Sequence, residues 1–174
     1  SDGLQSNEFN GGAYHKSRTG EMYFGGINGL NKFHPDSIKD NPHIPPVVIT
    51  DFKIFNKSVR IGEETDGRII LQKHITETKV IELSHEDDVI SFEFAALHYV
   101  TPEKNNYAYI MEGFEKEWNY VGTRRFANYT NLQPGEYTFR IKASNSDGVW
   151  NEQGISLNII ITPPFWSTWW FRIT

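Results

Sequence analysis

The chain has 174 residues, 22% of them charged and 38% hydrophobic, with a net charge of −5 and no cysteine. The acidic balance argues against a nucleic-acid partner, which needs a basic face, and the lack of cysteine excludes disulfides, thiolate metal sites and cysteine nucleophiles. No apolar run approaches the roughly 20 residues of a membrane helix.

In chain order, Ser1 to Asn10 is polar and lacks the form of a signal peptide. Both ends read as cut from a longer chain. Beyond this opening the apolar segments are short and alternating, and they stop at Gly, Pro, Asn or Asp, which is the pattern of an all-β chain. Strands are expected near 21–25, 29–33, 47–55, 79–83, 88–97, 107–112, 117–121, 125–130, 136–144 and 155–161. Ile90, Phe92, Phe94 and Ala96 share one strand face, and Tyr137, Phe139 and Ile141 another. Between the second and third strands lies Asn41–Pro46 (NPHIPP), whose three prolines cannot continue a central strand and make a stiff linker. The block at 47–162 holds about eight strands in about 116 residues, the size of a two-sheet sandwich.

Leu132–Tyr137 (LQPGEY) has the form of a tyrosine corner. Pro-Gly makes a tight turn, and a Tyr at the start of a strand folds back to bond the backbone it has just left. The Tyr137 hydroxyl is therefore expected to bond a backbone group between Asn131 and Gly135.

Residues suited to catalysis or metal binding do not assemble into a motif. Six histidines (His15, His34, His43, His74, His85 and His98) include no HExxH pair. His98 follows a core strand and is read as structural, and His85–Asp88 (HEDD) as a solvated turn. Residues 145–154 carry calcium-loop residue types without the full spacing and are read as the loop between the last two strands. No GxSxG, P-loop or Rossmann glycine pattern appears, and no cofactor or metal is expected.

From Asn105 onward the stretches NNYAYIMEGFEKEW and RRFANYTNLQPGEYTFRIKASNSDGVW resemble the triple-tyrosine (Y_Y_Y) domain. The matching positions are Tyr107, Tyr109, Gly113, Trp118, Tyr129, Leu132, Pro134, Gly135, Tyr137, Ala143, Asn145, Gly148 and Trp150. VISFEFAALHYVTPEKNNY matches the segment before them, and GEMYFGGINGLNKFHPDSI resembles the last repeat of a preceding β-propeller. The resemblance implies an immunoglobulin/fibronectin-III-like antiparallel β-sandwich after a partial propeller repeat. The expected divisions are 1–40 for the repeat, 41–46 for the linker, 47–164 for the sandwich and 165–174 for an aromatic juxtamembrane segment. Phe165, Trp166, Trp169 and Trp170 would form that segment's interfacial belt, where amphipathic rings are favoured.

The family lies outside the membrane in hybrid two-component sensor kinases of Bacteroides-type bacteria. The resemblance therefore implies a non-catalytic fragment on the periplasmic side of the inner membrane, which relays ligand binding to a membrane helix, with a second copy as partner. A closed propeller needs several blades, so an oligosaccharide ligand is expected to bind propellers beyond this chain. Tyr23, Phe24, Ile27, Leu30 and Phe33 are expected to lack a neighbouring blade. One of Tyr107 and Tyr109 is expected to face away from the core, and Tyr109 or Met111 to pack near Trp118. The alternative is a carbohydrate-binding accessory domain of a secreted glycosidase, with exposed Trp118 or Trp150 as a sugar platform.

Overall fold

The computed structural model describes residues 4, 6, 8–39 and 41–164, and the chain divides into two compact units, 1–41 and 42–174. In the first unit β1 (Tyr14–Lys16), β2 (Met22–Gly26) and β3 (Gly29–Phe33) form an antiparallel sheet in the order β1-β2-β3. Phe24 stacks on Phe33 and meets the edge of Phe9, both at 5.8 Å between ring centroids. Ile27 and Leu30 stand exposed on this small sheet. β1 carries only three residues, too few for alternation to register in the sequence.

The second unit is a sandwich. One sheet runs β11 (Asn119–Gly122), β10 (Asn106–Glu112), β13 (Gly135–Ser144), β14 (Trp150–Thr162), β8 (Val80–Ser84). The facing sheet runs β12 (Phe126–Thr130), β9 (Val89–Ala96), β4 (Val47–Ile54), β5 (Lys57–Ser58). A separate two-stranded hairpin, β6 (Glu64–Thr65) with β7 (Arg68–Ile69), interrupts the path from β5 to β8. Every pairing in the two large sheets is antiparallel except that of β14 with β8, which is parallel.

Alternation builds the core as expected. Phe92 and Phe94 of β9 and Phe52 of β4 point inward from one sheet, and Phe139, Ile141, Leu157 and Ile159 from the other. Phe92 stacks on Phe139 at 4.5 Å, so the two sheets meet ring to ring. Such contacts add to the gain from simple burial.

Two loop readings need correction. Residues 145–154 are a strand for half their length, since β14 begins at Trp150 and only 145–149 turn. The strand is displaced there: residues 152–154 stand opposite the single Lys142, a bulge that Gly154 closes with φ +56°. Nor is His85–Asp88 a solvated turn throughout. Asp87 is buried, accepts a hydrogen bond from the Ser84 amide at 2.7 Å and pairs with Arg68 at 3.1 Å, which ties the β6–β7 hairpin to the β8–β9 turn. Among the described residues no helix is long and apolar enough to cross a membrane. The aromatic segment with Phe165, Trp166, Trp169 and Trp170 lies outside the described residues.

Candidate functional site

Tyr107 and Tyr109 are two residues apart on β10 and therefore share a face. Both are buried, against the expectation that one would turn outward. Tyr129 joins them from β12 in the opposite sheet, edge-to-face with Tyr109 and Phe139 at 6.2 and 5.8 Å between ring centroids. A buried phenol needs a partner for its hydroxyl, and each of the three has a different one. Tyr107 accepts from the Ala96 amide at 3.2 Å, which links β10 to β9 across the sandwich. Tyr109 accepts from Arg124 at 2.9 Å. Tyr129 donates to Glu115 at 3.0 Å.

Glu115 also accepts from the Met111 amide and the Asn119 side chain, each at 2.7 Å, so one carboxylate closes the turn between β10 and β11 and holds the third tyrosine. Burial pushes the Tyr129 phenol's pKa far up, and the neighbouring Glu115 charge adds to the effect. A phenol held neutral in this way is a poor nucleophile and a poor proton donor. Two of the three hydroxyls bond across the sandwich: Tyr107 to β9, and Tyr129 of β12 to the turn that follows β10.

A second group of the residues named from the sequence converges at one end of the sandwich. Tyr137, near the start of β13, donates its hydroxyl to the Gln133 carbonyl at 2.9 Å, which makes the corner. Leu132 is buried beneath it, and Pro134 and Gly135 form the exposed turn. Gly113 lies against the ring with φ +93°, and a Cβ there would sit 3.1 Å from Tyr137 Cδ1. Tyr137→Phe removes one hydrogen bond at a partly exposed site. It is expected to lower stability by about 1 kcal/mol, measured by denaturant titration, with no change of fold.

Trp118 stands apart from Tyr109 and Met111, contrary to expectation. Those two face the core, whereas Trp118 covers Arg140 and Lys142, which project from the opposite side of β13. Lys142 Nζ lies 4.8 Å from the Trp118 ring centre, 5.2 Å from Tyr120 and 5.4 Å from Trp150. It also binds the Glu152 carboxylate at 2.9 Å. Burial works to lower the lysine's pKa, but the hydrogen bonds to Glu152 and Tyr120 outweigh it and the net shift is upward. The chain's own cation thus occupies a face of both rings that the accessory-domain reading offered to a sugar.

The chain enters and leaves the sandwich at opposite ends. His43 and Pro45 lie against the 145–151 segment, where β14 begins. β14 finishes at Thr162 beside the corner, with Gly135 paired to Ile161. His98 is buried with its ring nitrogen 3.2 Å from Asn105, a structural placement. Among the described residues no group of three His, Asp or Glu side chains is arranged to hold a metal.

The fold and the tyrosine assembly define a β-sandwich whose specialised residues bind sheets and turns together. Residues 98–162 match the Y_Y_Y domain. Most of the chain resembles the extracellular domain of a hybrid two-component system from B. thetaiotaomicron, with 33% identity, a TM-score of 0.68, and coverage of 92% of this chain and 21% of that one. A second such extracellular domain from that organism gives 30% identity and a TM-score of 0.62, over 85% of this chain and 19% of its own. Histidine kinase P4 of Formosa agariphila is 43% identical over 169 residues, which is 97% of this chain and 12% of that protein.

Sequence reasoning located the tyrosines and missed their partners. Glu115 and Arg124 lie in the segments that join strands, where no periodic pattern marks a side chain as inward.

Proposed function

We propose that this chain is the membrane-proximal relay module of a hybrid two-component sensor histidine kinase. It is non-catalytic, lies on the periplasmic side of the inner membrane and passes ligand binding by a β-propeller to a membrane helix. The inducing ligand is an oligosaccharide, and the receptor works as a homodimer. Residues 1–40 are the end of the last propeller repeat, with three strands against the four of a complete blade. Residues 41–46 are the linker, 47–164 the sandwich and 165–174 the aromatic juxtamembrane segment.

The observation that carries this reading is the course of β14. Its 13 residues run from the end where the linker arrives to the end where the chain departs. At about 3.3 Å per residue it spans roughly 40 Å. It is hydrogen-bonded to β13 along its length on either side of the 152–154 bulge, and its last five residues, 158–162, are also paired with β8. A strand built into the sheet in this way carries a shift at the linker toward Thr162, where both of its edges are held. Ligand binding changes output only if two such arrangements differ in affinity for the ligand.

Full-length receptor in membrane vesicles, exposed to a panel of oligosaccharides, tests the relay. A flexible Gly-Ser insertion of four residues after Thr162 is expected to leave oligosaccharide binding intact and abolish the ligand-dependent change in autophosphorylation. A response that survives the insertion overturns the relay. The dimer is checked by sedimentation of this chain against a version ending at Pro164. Self-association is expected to weaken on removal of the aromatic segment, because exposed ring clusters favour association. Identical profiles would exclude that segment as a dimer contact.

A further inference from the structure

We propose that Asn145 and Asn151 are positioning residues that clamp the incoming linker to the sandwich, so that movement of residues 42–46 reaches β14 through their two side-chain amides. Pro42, Pro45 and Pro46 have no N–H to offer a ladder, so the linker can be held mainly by its carbonyl oxygens. Three of these are engaged. Asn145 Nδ2 donates to the His43 carbonyl at 2.9 Å, Asn151 Nδ2 donates to the Pro45 carbonyl at 2.9 Å, and the Leu97 amide donates to the Pro46 carbonyl at 2.8 Å.

The orientation of each asparagine is set by its other half. Asn145 Oδ1 accepts from the Asp147 and Val149 amides at 3.0 and 2.9 Å, and Asn151 Oδ1 accepts from the Gly154 amide at 3.0 Å. With the oxygen committed to the turn or the bulge, the NH2 group must face the linker. Asn145 is fully buried, where an amide left without partners is costly. Each residue therefore joins two things in one side chain: the shape of β14's beginning and the position of the linker. The clamp's use in signalling rests on the relay reading. Its existence as a joint does not.

The absence of cysteine allows a clean distance measurement. Spin labels on Ile44→Cys, an exposed linker site, and Asn128→Cys, on the exposed side of β12, report the linker against the sandwich. The expected distance distribution is single and narrow. Asn151→Asp keeps an oxygen for the Gly154 amide and loses the donor to Pro45, so it is expected to broaden the distribution at least twofold. Asn145→Ala is expected to broaden it further. Amide exchange at the start of β13 should stay unchanged in Asn151→Asp, because the corner lies at the far end. An unchanged distribution in Asn151→Asp overturns the clamp, and so does a parent distribution that is already broad. Broadening with equal loosening at the corner would reduce the residues to general stabilisers and also overturn it. The relay fails separately, on the phosphorylation experiment: a receptor whose response survives the insertion leaves a narrow, Asn151-dependent distribution fully explained.

Discussion

Phe139→Ala is expected to cost the sandwich about 4 kcal/mol, within the range of roughly 3–5 found for large aromatic truncations in cores. Phe139 is fully buried at the crossing of the two sheets. Its ring stacks on Phe92 at 4.5 Å and lies within 6.5 Å of Phe94, Tyr109 and Tyr129. Truncation removes the contact from both sheets and from Tyr109 and Tyr129 together. Strands paired on both edges cannot collapse into the space without breaking ladder bonds, so most of the cavity remains. Small domains are stable by only about 5–15 kcal/mol, so the loss should appear as a large fall in the denaturant midpoint. A fall equivalent to less than about 1 kcal/mol would show that the aromatic cluster is not the centre of the core.

Gly154→Ala is expected to be nearly as damaging, at about 2–4 kcal/mol from overpacking and a left-handed backbone together. A Cβ at this position would stand 2.9 Å from the Ile141 carbonyl carbon and closer still to its oxygen. Both atoms are backbone and belong to the neighbouring strand, so neither can swing aside. Relief requires reshaping the bulge, which displaces the Gly154 amide from Asn151 and Glu152 from Lys142. Gly148→Ala is the control. Its φ is +82° but nothing lies within 4 Å of the added carbon, so only the backbone penalty of about 1–2 kcal/mol applies. Equal losses for the two variants, measured by thermal unfolding, would remove the clash from the account.

Long alternating strands were legible because period two survives whenever one face is buried. Val89–Ala96 and Gly135–Ser144 are of this kind, and both were placed to within a residue or two. Two- and three-residue strands such as Tyr14–Lys16 and Lys57–Ser58 hold no full period and left no trace. Asp87 was misread because a carboxylate in a polar run gives no sign of a distant arginine; Arg68 reaches it from the β6–β7 hairpin. The family resemblance marks the tyrosines but not their orientation, which follows from residues two apart on a strand sharing a face: Tyr107 and Tyr109 both point inward. The positions of Asn145 and Asn151 could be read from the chain, but their roles needed the linker's location.

The parallel pairing of β14 with β8 also governs how the domain can be assembled. Thr162 bonds Leu83 across a separation of 79 residues. A parallel pair cannot form by a local hairpin, and long-range closures of this kind slow folding because chain entropy is lost before contacts repay it. β8 has no other strand neighbour in its sheet. Until β14 has emerged during synthesis, β8 lacks its paired strand, and the core that holds Ile81 and Leu83 is unfinished. β14 is therefore the strand that completes the sandwich, and its end beside the tyrosine corner is the last part of it to be made.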